Sequence, residues 1–413
     1  MKLSRYNYYY EKKDSIIVFN TYSNSITILT PKEYADLLNN TNLSPDVVEN
    51  FVSQGVLIPY DVDELAMLRF DNAYYAANSE YHFRILTSTG CNAHCPYCYE
   101  RGVKTITMTQ ETADKVASFI EKTVPSGTAI NIEWFGGEPL LNYEIILQIS
   151  KDLITSGYDI KSSLVTNGIL LNADRIIELK EASHLEKVQI TIDGLPEVYS
   201  KIKGVPISNF DTVIQNIKLL AENKITVHIR MNYVNNRREL SDLIDYLRKV
   251  IGFHPRIFYY VYPIFEDNQS VPQKIMSSVL SLNDLLLSNG LMKNTDMYKF
   301  SYRQTRCFAT SYNGYTISPD GKLYNCSHVL NDQGQIGTVE NYSPYNPNRI
   351  RFVDQTVSEQ CTNCIFYPIC KGGCKAAELK QAKLNQCIIY KTCIQEVLDR
   401  LTHIEIKRKE DKP

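Results

Sequence analysis

Regular alternation between residues 81 and 264 is the feature that most restricts the fold. Six short apolar runs predict strands at 81–88, 129–135, 163–166, 187–193, 226–233 and 256–263. Five amphipathic segments predict helices between them, at 110–123, 143–156, 173–182, 210–223 and 238–250. Consecutive βαβ units form a parallel sheet because each helix returns the chain to the same end of the sheet. The sequence therefore predicts an α/β fold, a partial (β/α)6 TIM-like barrel, with functional residues after the strand C-termini.

The chain has a different character on either side of this barrel. In the first 78 residues, β-rich runs at 6–10, 15–20 and 25–30 precede helix candidates at 31–38, 44–54 and 61–70. Strands followed by helices predict a winged-helix-like α+β domain over 1–78, and the barrel is expected over 79–300. Residues 301–413 are turn-rich and show little apolar core before a final helix near 390–401. This last segment should need metal to hold its shape.

Composition argues against several classes of protein. A net charge of −2 provides no basic field, so no nucleic-acid partner is expected. The polar N-terminus lacks the apolar segment of a signal peptide, and no run approaches the roughly 18 apolar residues of a membrane span. We therefore expect a cytoplasmic protein with no membrane partner.

The eleven cysteines are unevenly distributed. Three lie between residues 91 and 98, and the other eight lie between 307 and 393. Cys91, Cys95 and Cys98 follow the first barrel strand, and three thiolates from one loop can bind three irons of a cubane cluster. The fourth iron then stays open to a substrate. A zinc loop is the alternative, but zinc needs a fourth ligand, and His94 between the thiols would be strained in that role.

This cysteine loop resembles that of radical S-adenosylmethionine (SAM) enzymes. The resemblance implies that the open iron chelates SAM and that an electron cleaves it to a 5′-deoxyadenosyl radical. Three further motifs follow successive strands in family order: Gly136-Gly137-Glu138-Pro139, Thr166-Asn167-Gly168 and Thr191-Ile192-Asp193-Gly194. Either of the first two alone would be a turn as often as a site, but the ordered series is specific.

The resemblance also assigns SAM contacts. The residues concerned are Tyr97, Gly136, Gly137, Glu138, Asn167, Thr191, Asp193 and Arg230. It implies that Tyr97 lies near the adenine, that the GGE motif holds the ammonium group, and that Asp193 lies near the ribose. Arg230 is a candidate partner for the SAM carboxylate, and local packing is the alternative role for Tyr97. Lys203 stands where related enzymes often carry arginine, which leaves its role open.

The C-terminal cysteines resemble those of the SPASM domain, which occurs in radical SAM enzymes that modify peptides and proteins. The resemblance implies two auxiliary clusters, and thus three [4Fe–4S] clusters in all. One would be bound by Cys307, Cys326 and Cys374, and the other by Cys361, Cys364, Cys370 and Cys387. A zinc ribbon fits poorly, because seven or more thiols exceed one zinc site. Cys393 is either a fourth ligand of the first auxiliary cluster or a buried thiol, in which case a substrate thiolate can bind that cluster.

The N-terminal domain resembles the leader-peptide recognition elements of peptide-modifying enzymes. Such elements add a leader peptide as a strand to an exposed sheet edge, although this unit could instead only pack against the barrel. We therefore expect a peptide maturase that acts on a ribosomally made precursor peptide and forms a thioether or other crosslink. Its electrons would come from a low-potential donor such as flavodoxin or ferredoxin. The alternatives are a formylglycine-forming sulfatase-type or other protein maturase and, from another class, a non-catalytic iron–sulfur electron-transfer or scaffold protein.

Overall fold

The computed structural model describes residues 1–234, 236–264, 272–292, 307–379, 387 and 389–410. Within these ranges, no helix is long and apolar enough to cross a membrane. The boundary expected at residue 300 lies outside the described residues.

The N-terminal unit is a small winged-helix-like α+β fold. Its strands are β1 (Lys2–Leu3), β2 (Asn7–Glu11), β3 (Ile16–Asn20), β4 (Ile26–Leu29) and β5 (Leu57–Ile58), and its helices are α1 (Pro31–Asn39), α2 (Pro45–Ser53) and α3 (Glu64–Ala77). Strands β2, β3 and β4 form an antiparallel sheet in that order. Thr30 and Glu33 form a capping box at the start of α1, and Ser44 caps α2. The three predicted strands and three predicted helices are confirmed, whereas the two-residue strands β1 and β5 are too short to be seen in a sequence pattern.

The central α/β unit contains six parallel strands in chain order. They are β6 (Tyr81–Ser88), β7 (Ala129–Gly136), β8 (Asp159–Thr166), β9 (Leu185–Thr191), β10 (Thr226–Tyr233) and β11 (Ile257–Pro263). Its helices are α4 (Gln110–Thr123), α5 (Tyr143–Thr155), α6 (Ala173–Ala182), α7 (Pro196–Lys203), α8 (Ser208–Glu222), α9 (Arg237–Val250) and α10 (Gln273–Ser288). Among the described strands, β11 is an outermost one, so the barrel is open, as predicted. Helices α7 and α10 were not predicted from the sequence. Helix α7 is short, with Pro196 at its first turn and Gly204 in the left-handed region at its end.

The C-terminal segment extends the barrel sheet. Its strands are β12 (Gly314–Ile317), β13 (Lys322–Tyr324) and β14 (Gln335–Thr338), and its helices are α11 (Pro347–Val353), α12 (Glu359–Thr362), α13 (Tyr367–Cys370), α14 (Lys375–Leu379) and α15 (Ile394–Glu410). Strand β12 pairs in parallel with β6, and β13 and β14 continue the sheet to nine strands. The expectation of little apolar core here was wrong, because Tyr315 and Ile317 are buried in the main core. Strands of three or four residues are too short to show periodicity.

The N-terminal unit packs against the C-terminal segment and α10. Ile17 and Phe19 of β3 share an apolar core with Met276 of α10, Phe366 and Leu398. Polar contacts supplement this core: the Arg5 guanidinium donates to the carbonyl oxygen of Thr362 at 3.2 Å, and Lys371 Nζ donates to Asn72 Oδ1 at 2.7 Å. The first 78 residues are therefore joined to the cysteine-rich segment by a shared core.

Candidate active site

The GGE turn lies directly against the exit of β6, just before the cysteine loop. Gly137 N donates to Ser88 O at 3.0 Å, and Glu138 N donates to Gly90 O at 2.9 Å. A Cβ atom at Gly136 would lie 2.1 Å from Ser88 O, and one at Gly137 would lie 2.4 Å from Gly90 O. Gly136 also has φ +126°, which side-chain-bearing residues rarely adopt. These two glycines are therefore required, first of all, by the close approach of two backbone segments.

Glu138 is a buried carboxylate with several protein partners. Its Oε1 accepts hydrogen bonds from Leu140 N at 3.1 Å and Thr166 Oγ1 at 2.7 Å, and its Oε2 accepts one from Asn167 N at 2.8 Å. Burial raises its pKa, although these donors act in the opposite direction. Glu138 thus ties β7 to the end of β8, and Oε2 accepts one of the two hydrogen bonds that a carboxylate oxygen can accept.

Cys91, the first thiol of the cysteine loop, lies beside Asn167. Asn167 Nδ2 is 3.9 Å from Cys91 Sγ and donates to Asn92 Oδ1 at 2.6 Å. Burial raises the pKa of Cys91, and the neighbouring Glu138, Cys95 and Cys98 raise it further. The loop is thus a group of three thiols beside the strand ends, as a cubane with one open iron requires.

The histidine between the thiols, His94, packs against the end of α7. His94 N donates to Lys203 O at 2.7 Å, and the His94 side chain packs beside Gly204 at the end of α7. In the described part of the chain, no three His, Cys, Asp or Glu side chains are grouped as a single metal ion would need. A cubane spreads its thiolates over different irons, whereas zinc gathers four ligands on one centre.

A buried network follows the end of β9. Tyr97 donates its hydroxyl proton to Asp193 Oδ2, Lys203 Nζ lies 3.6 Å from the same oxygen, and Asn232 N donates to Asp193 Oδ1 at 3.3 Å. Burial raises the pKa of Tyr97, and the Asp193 charge raises it further. Lys203 is 3% exposed and Asp193 1% exposed, so the lysine supplies the counter-charge that a buried carboxylate needs. The departure from arginine at position 203 thus preserves a buried cation.

Arg230 joins this network through Asn232. Its Nε donates to Asn232 Oδ1 at 2.8 Å, and its guanidinium lies 4.8 Å from the centre of the Tyr262 ring. In the sheet, Arg230 of β10 is paired with Thr191 of β9. The structure therefore brings the predicted SAM-contact residues together at the C-terminal ends of β7, β8, β9 and β10. Sequence reasoning missed Asn232, which lies two residues from Arg230 on the same strand face.

Comparison with known proteins identifies this arrangement. Residues 85–247, which run from β6 into α9, match the model of the radical SAM superfamily. This part of the chain is a radical SAM domain. The radical SAM cyclopropyl synthase TigE of Paramaledivibacter caminithermalis is 23% identical over 89% of this chain and 85% of its own length.

Two further comparisons extend the likeness. The cysteine-type anaerobic sulfatase-maturating enzyme of Clostridium novyi is 25% identical over 70% of this chain and 86% of its own length. The crystal structure of Streptococcus suis SuiB bound to precursor peptide SuiA has the same fold, with a TM-score of 0.55 and 14% identity. That match covers 95% of this chain and 99% of SuiB. Together they make the chain similar to radical SAM maturases over most of its length.

The C-terminal cysteines fall into two neighbourhoods. Burial raises the pKa of Cys326 to about 11, and the nearby thiols of Cys307 and Cys374 add to the shift. In the second neighbourhood, Lys391 Nζ lies 3.7 Å from Cys364 Sγ and 3.8 Å from Cys387 Sγ.

The remaining cysteines are consistent with this division. Cys370 is also close enough to Lys391 for its charge to raise the lysine pKa, against the lowering effect of burial. Cys361 is one turn from Cys364, whose N–H donates to Cys361 O at 3.0 Å. Cys393 is 2% exposed in the core shared with Ile17 and Phe19, and burial raises its pKa to about 11. This position favours the buried-thiol alternative for Cys393.

Sequence reasoning also missed a polar group between the cysteine loop and the C-terminal segment. Arg84 of β6 donates to Glu133 and, at 2.8 Å, to Ser327 Oγ, and its guanidinium lies 4.8 Å from the Phe308 ring centre. A charged residue in an otherwise apolar strand was the available signal.

Proposed function

We propose that this radical SAM enzyme matures a ribosomally made precursor peptide by hydrogen abstraction. Bound SAM would supply the 5′-deoxyadenosyl radical, and Cys91, Cys95 and Cys98 would bind the cluster that cleaves it. Residues of the chain would orient the cofactor through the GGE turn, Asn167 and the Tyr97–Asp193–Lys203 network. Arg230 and Thr191 would face the same cofactor from neighbouring strands.

Two further [4Fe–4S] clusters complete the proposal. The neighbourhood of Cys326 supports one cluster with Cys307 and Cys374, and the neighbourhood of Lys391 supports the other with Cys361, Cys364, Cys370 and Cys387. An auxiliary cluster would accept the second electron from the substrate or hold a cysteine sulfur for thioether formation. A low-potential donor such as flavodoxin or ferredoxin would supply the electron for SAM cleavage.

The likeness to SuiB over nearly the whole chain carries the choice of a peptide substrate. A match that covers 95% of the chain cannot omit its first 78 residues, and that structure contains a bound precursor peptide. The likeness to TigE covers 89% of the chain. Both observations support the proposal that the N-terminal unit has a role in an enzyme that modifies a precursor peptide, as part of one chain with the radical SAM domain.

Strand β4 is the edge that we propose for leader docking. Among the described residues, β4 pairs on one side only, with β3. Asn20 N donates to Ser25 O, and in an antiparallel pair alternate residues face the partner strand. By this alternation, Ile28 directs its N–H away from β3, and its side chain is 40% exposed. The edge thus offers backbone donors to an added strand.

Substitution of Ile28 by proline tests this docking without removing the N-terminal unit. Proline would remove one outward donor and leave the pairing between β3 and β4 intact. We expect weaker binding of a labelled precursor peptide in fluorescence anisotropy, with unchanged SAM cleavage in the absence of peptide. Ile28→Thr, which keeps the N–H, is the matched control and should bind normally. Equal peptide affinity in all three proteins would contradict docking at β4.

Truncation of residues 1–78 is a poorer test of docking than the Ile28 substitution. It would also uncover the apolar core around Phe366 and Leu398 and remove the Asn72 partner of Lys371. Loss of peptide modification would then have two explanations.

The catalytic part of the proposal is tested by Cys91→Ala, Cys95→Ala and Cys98→Ala combined. The anaerobically reconstituted enzyme should hold about twelve irons, and the triple variant about four fewer. It should release no 5′-deoxyadenosine on reduction with dithionite. Release of 5′-deoxyadenosine by the triple variant would refute the assigned cluster site.

The sulfatase-maturating relative supports a second candidate, formylglycine formation on a protein substrate. That relative matches 70% of this chain, which leaves room for the N-terminal unit to be unmatched. Mass spectrometry after incubation with a cysteine-containing sulfatase peptide that lacks a leader distinguishes the two candidates. Modification at equal rates with and without a leader would favour the second.

A further inference from the structure

Two aromatic rings connect the cysteine loop of the barrel with the C-terminal cysteines. Tyr99 directly follows Cys98, and its ring centre lies 4.4 Å from that of His328, with an angle of 32° between the planes. His328 is two residues beyond Cys326, and its backbone N–H donates to Cys326 Sγ at 3.5 Å. Cys98 and Cys326 are thus connected through three links. Tyr99 is bonded to Cys98, the Tyr99 ring contacts the His328 ring, and the backbone N–H of His328 donates to Cys326 Sγ.

The surrounding contacts hold the two rings together. Arg84 of β6 binds Ser327, which lies between Cys326 and His328, and the Arg84 charge also acts on Tyr99 and Cys326. Glu133 anchors the other side of the Arg84 guanidinium. Because Arg84 lies on the strand that leads into the cysteine loop, it fixes the C-terminal segment relative to that loop.

We propose that the contact between Tyr99 and His328 is the electron path between the radical SAM cluster and the auxiliary cluster at Cys326. This inference rests on the proposed function, which assigns those two clusters. One electron passes from the reduced auxiliary cluster, which is oxidised, to the oxidised radical SAM cluster, which is reduced. No bond forms or breaks, and the electron originates from the low-potential donor or the substrate radical. The rate of electron tunnelling falls steeply with the distance that the electron crosses through empty space. Two rings in van der Waals contact shorten that distance between the two cluster sites.

The test measures electron transfer between the clusters in holoenzyme without peptide. A short photoreduction pulse loads the clusters, and rapid-freeze EPR spectroscopy then follows the redistribution of the electron between the two cluster signals. Tyr99→Leu and His328→Leu should each slow redistribution by at least an order of magnitude, with unchanged iron content and midpoint potentials. Tyr99→Phe keeps the ring and should retain the normal rate. Tyr60→Leu, which removes an aromatic ring that is 71% exposed in the N-terminal unit, is the control.

Several outcomes would overturn the inference. A normal rate in Tyr99→Leu with both cluster signals present would exclude the ring path. Loss of about four irons in His328→Leu would make His328 a cluster ligand instead. A slow rate in Tyr99→Phe would show that the hydroxyl group, and not the ring contact, matters. A wild-type protein with about four irons would refute the auxiliary clusters themselves, and this failure is visible before any variant is measured.

Discussion

Gly137→Ala tests whether close approach of two backbones builds the cofactor site. An added Cβ would lie 2.4 Å from Gly90 O, and 2.7 Å from Gly90 C and from Thr89 O. These neighbours are backbone atoms of the segment that leads into Cys91, so no flexible side chain can move aside. The GGE turn must therefore separate from the cysteine loop.

The cost follows from the contacts that separation breaks. The hydrogen bonds from Gly137 N to Ser88 O and from Glu138 N to Gly90 O would lengthen, at about 1 kcal/mol each. Residual overlap adds about 1–3 kcal/mol, as for other overpacked sites. We therefore expect a loss of about 3–5 kcal/mol in the free energy of unfolding, and a Tm lower by about 5 °C.

Thermal unfolding, followed by circular dichroism, and SAM binding to the reconstituted protein measure the two effects. SAM affinity should fall by more than an order of magnitude because Glu138 moves with the turn. Gly127→Ala is the matched control: Gly127 has φ +74°, but nothing lies within 4 Å of its added Cβ, and the residue lies at the opposite end of β7. It should cost only about 1 kcal/mol of backbone strain and leave SAM binding unchanged.

Equal stability and equal SAM affinity in Gly137→Ala and Gly127→Ala would show that the close approach of the two backbones does not build the cofactor site. Stability lost with normal SAM affinity would lead to the same conclusion, because the turn would then serve folding alone.

Three further predictions concern charge and the buried thiol. Lys203→Met should weaken SAM binding, measured by calorimetry, about tenfold or more while the iron content persists, because Asp193 loses its buried counter-ion. Lys203→Arg keeps the cation and should bind SAM normally in the same measurement. Burial alone would raise the pKa of Glu133, but His82 and the Arg84 guanidinium hold it at about 2, below its ordinary 4.5. The stabilisation that ionised Glu133 gains from His82 and Arg84 is fully present above pH 4.5 and is lost as the pH falls toward 2. In acid unfolding of the metal-free protein, Glu133→Gln should therefore remove up to about 3 kcal/mol of the pH dependence of the free energy of unfolding. Cys393→Ala should keep all clusters and lower the Tm slightly, whereas loss of about four irons would make Cys393 a ligand.

Local patterns were sufficient for much of the fold. Strands β6 and β10 and helices α4 and α6 have the residues that periodicity predicted, because alternation of apolar positions is a property of a few neighbouring residues. The caps at Thr30 and Ser44 are equally local. The spacing of Cys91, Cys95 and Cys98 on one loop is also readable without a fold, because a single short segment carries the chemistry.

By itself, then, the sequence determined the βαβ order, the starts of helices α4, α5 and α6, and the grouping of cysteines along the chain. The tertiary structure alone decided that β12 pairs with β6, that Lys203 pairs with Asp193, and that the Tyr99 ring meets His328. It also decided that Ile17 and Phe19 pack against the cysteine-rich segment. These contacts join residues up to several hundred positions apart, and no local spacing encodes them. They arise because the chain must bury the faces that each element leaves apolar, and the path of the whole chain selects which faces meet.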